Sequence, residues 1–274
     1  MNWFIGIAVL VLIGYIIDRE IYFYEGTHLG PRVQAWLYDR WAKKYDAGKH
    51  DSQQHDPQML AEPLLNTLRK VPTPFVLDFA TGTGRLSYAL LNHSDFNGRI
   101  VALDLSQGML EQASSKLKEN LHRLELLRHL SLPLPFPDSA FDVVCALEVL
   151  ELFSNMEEPL AELSRVLRPG GILLTSRGTE ASGRKARVKS KADFGSLLKK
   201  YGFVNFQIAP WWKLFDRVIS VKNGVSDSIG ERRLADVYQC PACRQIHWTK
   251  DVSLLKCGNC EKVLSITKDG ILLG

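Results

Sequence analysis

The chain has almost no surplus of charge of either sign, because 34 lysines and arginines are nearly balanced by 30 aspartates and glutamates, which leaves +4. The surplus is concentrated in one segment, residues 177–191, where six basic residues outnumber one glutamate and give +5. The rest of the chain is therefore about neutral. This distribution argues against a broad nucleic-acid-binding face and indicates a single loop that attracts anions.

Internal repeats and low-complexity tracts are also absent from the sequence. With 46% apolar and 23% charged residues, the 274-residue chain is neither wholly disordered nor fibrous. At roughly 100 to 200 residues per domain, this length predicts one main domain and a smaller addition.

Cysteine is scarce: the chain has five, and four of them form two Cys-x-x-Cys pairs near the C-terminus. The pairs Cys240/Cys243 and Cys257/Cys260 are separated by 13 residues, a spacing typical of a tetrathiolate zinc ribbon rather than of disulfides. Residues 237–274 are too few to fold by apolar burial alone, so we expect zinc to staple them into a structural or protein-docking module. Such a site indicates a reducing compartment, whereas Cys145 is expected to be a buried apolar residue.

A single long run, residues 3–17, contains no charge. As a helix it spans about 22 Å against a hydrocarbon core of about 30 Å, but a helix continued to Tyr24 would reach about 33 Å with the charges at 18–20 snorkelling. A basic region before the run and a cleavage site after it are missing. We therefore predict that residues 1–24 are a single-pass membrane anchor with the following domain in the cytoplasm. The alternative is an amphipathic or buried N-terminal helix.

Strand-like and helix-like stretches alternate from residue 75 to residue 222, the pattern of a parallel sheet covered by helices on both faces. The prediction is an α/β fold with a doubly wound, seven-stranded, mostly parallel Rossmann-like sheet, plus the N-terminal hydrophobic helix and the small C-terminal zinc ribbon. The polar stretch 223–236 is expected to be a linker. The predicted strands are residues 75–79, 100–104, 124–128, 141–147, 171–176, 203–209 and 214–222, and the predicted helices are 85–92, 108–121, 158–167 and 192–201.

The first predicted strand ends near an acid, Asp78, and leads through a glycine-bearing turn into a helix. Such a turn brings backbone N–H groups close to a ligand. The pyrophosphate of a dinucleotide would be repelled by Asp78, and Ser87 occupies the third glycine position of the dinucleotide pattern. S-Adenosylmethionine carries two cationic groups, so Asp78 would attract it, and Asp104 at the end of the second strand would accept both ribose hydroxyls. A turn that needs glycine for packing only is the alternative, and it does not explain two acids at neighbouring strand ends.

Five motifs follow one another along the chain: Tyr38-Asp39-x-x-Ala42-x-x-Tyr45-Asp46, the stretch 76–84, Asp104-Leu105-Ser106-x-Gly108-Met109-Leu110, Leu134-Pro135-Phe136-Pro137-Asp138-x-x-Phe141-Asp142 and Arg165-Val166-Leu167-Arg168-Pro169-Gly170-Gly171. With these motifs the chain resembles the class I S-adenosylmethionine-dependent methyltransferases, and more narrowly the ubiquinone/menaquinone-biosynthesis type, over about residues 36–222. Three positions depart from the pattern. Ala80 replaces a common glycine, Leu130 replaces an acid that often meets the adenine, and Glu151 replaces a common histidine.

The resemblance implies that S-adenosyl-L-methionine is the cofactor and that the segment 25–74 folds over it as an aromatic lid on the substrate side. For Tyr38 and Tyr45 the alternative is an ordinary amphipathic helix packed on the sheet. Ten residues are expected to bind the cofactor: Tyr38, Asp78, Ala80, Thr81, Gly82, Gly84, Asp104, Leu105, Met109 and Leu147.

Methyl transfer depends mainly on alignment and desolvation, and proximity alone can lower such a barrier by about 7 to 11 kcal/mol. If the acceptor must also lose a proton, Glu148 and Glu151 are the catalytic candidates, since both lie at the cofactor-facing end of the fourth strand. The alternative is that both are solvated residues at a helix start.

The sequence therefore predicts an enzyme that methylates a hydrophobic small-molecule, quinone or lipid acceptor at the cytoplasmic membrane face, with the basic segment 177–191 near anionic headgroups. One alternative is an RNA methyltransferase guided by the zinc ribbon. The membrane segment, the near-neutral remainder and the absence of an Asn/Asp-Pro-Pro-Tyr motif argue against nucleic acid. The other alternative is a non-enzymatic membrane adaptor whose ribbon binds a protein partner.

Overall fold

A computed structural model describes residues 2–182 and 188–274 of the chain. Its centre is an eight-stranded sheet with the strand order β11-β3-β2-β1-β4-β5-β7-β6, in which β7 runs antiparallel to both neighbours and the other pairings are parallel. The strands are β1 (Phe75–Phe79), β2 (Arg99–Asp104), β3 (Leu124–Arg128), β4 (Phe141–Ala146), β5 (Leu167–Gly178), β6 (Phe203–Trp212), β7 (Phe215–Lys222) and β11 (Ile271–Leu273). The predicted α/β fold with a mostly parallel Rossmann-like sheet is confirmed.

Apolar side chains alternate along the central strands, and they form one core on each face of the sheet. In β1, Phe75, Leu77 and Phe79 belong to one core, whereas Val76 belongs to the other. This is the period of two that a strand buried on both faces requires. The first core is covered by α6 (Glu157–Val166) and α7 (Lys191–Lys200), and the second by α3 (Glu62–Thr67), α4 (Arg85–Leu91) and α5 (Gln107–Lys116).

The C-terminal module, residues 237–274, is built into the main domain. Its strands β8 (Trp248–Lys250), β9 (Leu254–Cys257) and β10 (Val263–Ser265) form a small antiparallel sheet. Its last strand, β11, leaves that sheet and pairs in parallel with β3, which adds an eighth strand to the seven predicted ones. Tyr238, Leu255 and Leu264 of the module also join the core beneath α6 and α7. The module and the main domain therefore share one core.

The N-terminal prediction of a single-pass membrane anchor is wrong. The apolar helix α1 (Asn2–Ile17) has 16 residues, about 24 Å, and a π-helical turn (Asp18–Phe23) that carries three charged side chains follows it. Within that turn, Arg19 donates hydrogen bonds to the hydroxyls of Tyr15 and Tyr24, so its charge is held close to the helix end. No helix in the described ranges is both long enough and apolar enough to cross a membrane. The transmembrane helix and the anchored membrane localisation are thus not supported.

The segment between the N-terminal helix and β1 is helical throughout most of its length. A long helix, α2 (Pro31–Gln53), is followed by a π-helical turn (Pro57–Ala61) and α3. Helix α2 packs against α5, which follows β2 at the edge where the parallel strands end. This packing places α2 over the carboxyl ends of β1 and β2, where open α/β sheets bind ligands.

Candidate functional site

The turn after β1 takes its shape from left-handed backbone and from the buried carboxylate of Asp78. Ala80 and Gly82 have φ angles of +54° and +56°. Asp78 accepts hydrogen bonds from the hydroxyls of Thr81 and Ser87 at 2.6 and 2.7 Å. Burial raises the pKa of Asp78 above its ordinary value. Because Thr81 and Ser87 both donate to its carboxylate, Asp78 holds the turn to the end of β1.

Asp104, at the end of β2, lines the main cavity of the site. Its two carboxylate oxygens accept backbone N–H groups of Gly82 and Ser106, each at 2.8 Å. Burial raises its pKa to about 6. Each oxygen keeps a second lone pair, so the side chain can accept two further hydrogen bonds in the cavity.

The cavity, of about 400 Å³, lies at the carboxyl ends of β1, β2, β3 and β4. Of the residues predicted to bind the cofactor, Asp78, Thr81, Gly84 and Met109 are not in its lining; Met109 lies fully buried in α5. The predicted residues that do line it are Tyr38, Ala80, Gly82, Asp104, Leu105 and Leu147, together with Glu148.

One wall of this cavity is formed by the residues that follow β3, and of these only Leu130 was singled out from the sequence. His129, Leu130, Ser131 and Leu132 all line it, and His129 donates its backbone N–H to the Asp104 carbonyl at 3.0 Å. Burial lowers the pKa of His129, and the nearby positive charge of Arg244 lowers it further. Their position after the third parallel strand was the available signal, because consecutive parallel strands end at one edge of the sheet.

Helix α2 is attached to the cofactor-side loops through two aspartates that are seven residues apart. Asp39 accepts hydrogen bonds from the Ser106 hydroxyl at 2.6 Å and the Gly108 N–H at 2.8 Å. Asp46 accepts from the Thr83 hydroxyl at 2.5 Å. Seven residues are almost two helical turns, so the spacing of the Tyr-Asp motifs already puts both aspartates on one face of α2.

Glu148 lies between the main cavity and a smaller one of about 160 Å³, and it lines both. Arg85 donates to one of its oxygens at 2.7 Å, and Lys49 donates to the other at 2.5 Å. The remaining Arg85 nitrogens bind both oxygens of Asp56 at 2.7 Å. Glu148 is therefore a member of a partly buried ion-pair network that joins α2 to α4.

Glu151 lines the smaller cavity, where it is 3% exposed. The two tyrosines predicted in the lid, Tyr38 and Tyr45, line both cavities. Burial is the main cause that raises the pKa of each tyrosine well above its ordinary value, so both hydroxyls are protonated at neutral pH. The alternative of two solvated glutamates at a helix start therefore does not describe Glu151.

The basic segment 177–191 is partly internal. Arg177 is 3% exposed, and its guanidinium pairs with Asp216 at 2.7 Å and with Glu180 at 3.1 Å. Arg184, Lys185 and Arg187 lie outside the described residues. The described part of the segment thus includes one arginine whose charge is neutralised within the fold.

The four paired cysteines converge on one point. Their sulfur atoms all lie within 4.8 Å of one another, with Sγ–Sγ distances of 3.5 Å for Cys240/Cys260 and 3.7 Å for Cys243/Cys257. A tetrahedral zinc with Zn–S bonds of about 2.3 Å requires sulfur atoms about 3.8 Å apart, so the donor set and its dimensions fit that metal. Cys145 lies buried in β4, away from this cluster, and burial raises the pKa of its thiol well above the ordinary value.

Comparison with known proteins agrees with this geometry. Residues 77–175 match a family model described as a methyltransferase domain. A demethylmenaquinone methyltransferase of Listeria welshimeri is 37% identical over 99 residues, 36% of this chain and 42% of the relative. Its counterpart in Lactobacillus johnsonii is 36% identical over 148 residues, 52% of this chain and 61% of the relative. A solved S-adenosylmethionine-dependent methyltransferase from Aquifex aeolicus superposes with a TM-score of 0.53 at 22% identity, covering 67% of this chain and 97% of that one.

The family match identifies residues 77–175 as a methyltransferase domain, and the superposition supports the Rossmann-like fold. The chain spans only about two-fifths to three-fifths of the length of these two curated relatives. The shared part covers the strands and turns that form the cofactor side of the cavity.

Proposed function

We propose that this protein transfers the methyl group of S-adenosylmethionine to a hydrophobic small molecule of the quinone class. The observation that carries the proposal is the cavity at the strand ends, in which Asp104 faces a mostly apolar wall that includes Leu132, Leu152 and Phe153. A carboxylate that can accept two more hydrogen bonds suits a ribose, and an apolar wall suits a hydrophobic acceptor. The names of the demethylmenaquinone methyltransferases support the quinone class.

The cofactor, when bound, supplies a methyl group on a sulfonium leaving group. The chain's own residues would bind and orient it: Asp104 would accept the ribose hydroxyls, and Leu130 and Ser131 would meet the adenine through apolar contact and backbone polar groups. Helix α2 closes the cavity above them and excludes water through Tyr38 and Tyr45. Alignment of acceptor and methyl group in this dry space is the main source of rate.

The two glutamates have different proposed roles. Glu148 is paired with Arg85 and Lys49, so we assign it to positioning α2 over the cavity. Glu151 lies in the smaller cavity that adjoins the first, and we assign to it the removal of a proton from an acceptor that must lose one. Replacement of each by glutamine separates these roles. Glu151→Gln is expected to lower kcat at unchanged cofactor affinity, whereas Glu148→Gln is expected to weaken cofactor affinity as well; full turnover in both variants would contradict a role for either.

The thiolate cluster is proposed to hold a structural zinc ion. Its four soft sulfur donors leave no open coordination position for a substrate, as in structural rather than catalytic zinc sites. Metal analysis of the purified full chain is expected to give one zinc per protein.

The function is tested by incubating the full chain with tritiated S-adenosylmethionine and either a quinone-containing lipid extract or total RNA. Label in the quinone fraction is the expected result. Label in the RNA alone would overturn the acceptor class. Calorimetry with S-adenosylhomocysteine, the product that the cofactor becomes when it loses its methyl group, is run beside it. An absence of heat at millimolar S-adenosylhomocysteine would overturn the methyltransferase activity itself.

A further inference from the structure

The wall of the cavity that follows β3 is held at both ends by the C-terminal module. We call residues 129–135 the cavity loop, because its first four residues line the cavity. At its start, Gly274 donates its N–H to the Arg128 carbonyl at 3.0 Å. At its end, Gln239 donates its N–H to the Pro135 carbonyl at 2.8 Å. Both donors belong to the last 38 residues of the chain.

Each of these two attachments is connected to one cysteine pair through the chain or through a few hydrogen-bonded residues. Gln239 directly precedes Cys240, and the turn that follows is closed by the Arg244 N–H, which donates to the Cys240 carbonyl at 2.8 Å. The same turn brings the charge of Arg244 close to His129 in the cavity wall. The first pair, Cys240/Cys243, therefore lies immediately beside the end of the cavity loop.

The second pair reaches the start of the cavity loop through the small sheet. Cys257 ends β9, which pairs with β10. Ile266, the residue after β10, forms an antiparallel bridge with Leu272 of β11. Strand β11 pairs with β3 from Leu126 to Arg128, and Gly274 completes that pairing. Short, hydrogen-bonded steps thus connect Cys257 to Arg128.

We propose that metal bound by Cys240, Cys243, Cys257 and Cys260 positions the cavity loop, because the ion joins the two segments that hold the ends of that loop. This inference rests on the proposed use of the cavity for S-adenosylmethionine. With the ion present, both attachments are fixed relative to each other and the wall formed by residues 129–132 is in place before the cofactor arrives. Without it, the two cysteine pairs separate, and cofactor binding must order the loop itself.

Such coupling is reciprocal by thermodynamic necessity. Metal raises the affinity for the cofactor, and the cofactor must therefore raise the affinity for the metal by the same factor. If the module merely stabilised the domain, removal of its metal would lower the melting temperature of the protein. Bound cofactor would then leave the affinity of the module for the metal unchanged.

The test begins with the zinc-loaded full chain and S-adenosylhomocysteine, measured by calorimetry before and after zinc is removed with a chelator, with circular dichroism to verify the fold. We expect at least a fivefold loss of affinity, the lower end of ordinary coupling between sites. In the reciprocal arm, saturating S-adenosylhomocysteine is expected to raise the affinity for zinc by the same factor, measured by equilibrium competition with a chromogenic chelator.

If removal of zinc unfolds the chain, the coupling is tested instead with a variant that keeps all four cysteines. A Cβ on Gly274 would lie 2.7 Å from the Tyr238 hydroxyl and 3.1 Å from the Arg128 carbonyl oxygen, so Gly274→Ala displaces the attachment at the start of the cavity loop. We expect full zinc content with weakened binding of S-adenosylhomocysteine. Gly14→Ala is the matched control, since a Cβ there meets nothing within 4 Å.

The outcomes separate this inference from the proposed function. If the zinc-loaded wild type binds no S-adenosylhomocysteine, the proposed function fails. If it binds, but a folded zinc-free chain or Gly274→Ala binds equally well, or bound S-adenosylhomocysteine leaves the affinity for zinc unchanged, the coupling is overturned.

Discussion

At the scale of single residues, the carboxylates around the cavity have different roles because they bind different partners. Asp78 is engaged by two hydroxyl groups and shapes the turn after β1. Asp104 is engaged by two backbone N–H groups and still faces the cavity. Glu148 is engaged by two cationic side chains. The sequence alone distinguished none of these environments, since the partners of these carboxylates lie between 2 and 99 positions away along the chain.

The raised pKa of Asp104 leads us to predict that cofactor affinity depends on pH. Burial raises that pKa from 3.8 to about 6, so the carboxylate takes up a proton as the pH falls through 6. A protonated acid is a weaker acceptor for ribose hydroxyls, and we expect the affinity for S-adenosylhomocysteine to fall as the pH is lowered from 7.5 to 5. Stability of the unliganded protein has the opposite sign: a raised folded pKa favours the folded state at low pH, and this contribution is lost as the pH rises through 6.

Asp104→Asn provides the comparison for this titration. The amide keeps the shape of the side chain but loses the ionisable group, so its affinity is expected to be at least about tenfold lower at pH 7.5, a loss of about 1.4 kcal/mol or more. Its affinity should also be nearly independent of pH between 7.5 and 5. A wild type whose affinity stays constant over that range would show that Asp104 does not act as a charged acceptor.

At the scale of elements, periodicity located the seven predicted strands and the four predicted helices, with ends that differ by a few residues. Strand β5 begins at Leu167, four residues before its predicted start at residue 171, and α5 ends at Lys116, five residues before its predicted end. The sequence predicted the attachment of α2 only in part. The spacing of its motif indicated that Asp39 and Asp46 lie on one face of the helix, but not that Asp39 would accept hydrogen bonds at the start of α5. The apolar run at the N-terminus indicated a helix correctly and its length wrongly, since the α-helix ends at Ile17.

The attachment of α2 gives a prediction at this scale. Asp39→Ala removes the acceptor for Ser106 and Gly108 at the start of α5, where a negative charge also interacts favourably with the helix dipole. We expect the protein to lose about 1 to 3 kcal/mol of stability, the sum of two hydrogen bonds that contribute about 0.5 to 1.5 kcal/mol each. We also expect S-adenosylhomocysteine to dissociate several times faster, because α2 covers the cavity.

Urea unfolding and stopped-flow dissociation measure these two effects. The matched control is Asp51→Ala, an exposed aspartate of the same helix, which is expected to change neither quantity appreciably. If Asp39→Ala behaves like the control, α2 is an ordinary packed helix and not a lid.

At the scale of the whole molecule, two C-terminal segments pair with earlier parts of the chain. The C-terminal strand β11 adds to β3, although more than 140 residues separate them in sequence. A strand of three residues between Gly270 and Gly274 carries no information on which edge it joins, so its pairing was not readable from local pattern. The segment 223–236, predicted to be a linker, is tied down as well, because the N–H groups of Ile229 and Gly230 donate to Asp142.

Asp142 is the point where three parts of the chain meet, and it carries the last prediction. Fully buried, it accepts from the Phe75 N–H at 3.0 Å, from the Arg168 guanidinium at 2.6 Å and from the Ile229 N–H at 2.9 Å. Asp142→Asn leaves the Arg168 charge without its counterion in the interior, and breaking a buried pair in this way costs about 3 to 5 kcal/mol. Asp138→Asn, which removes an exposed partner of Arg165, is expected to cost at most about 1 kcal/mol. Equal urea midpoints for the two variants would mean that Asp142 does not join β1, β5 and the segment 223–236 into one cooperative unit.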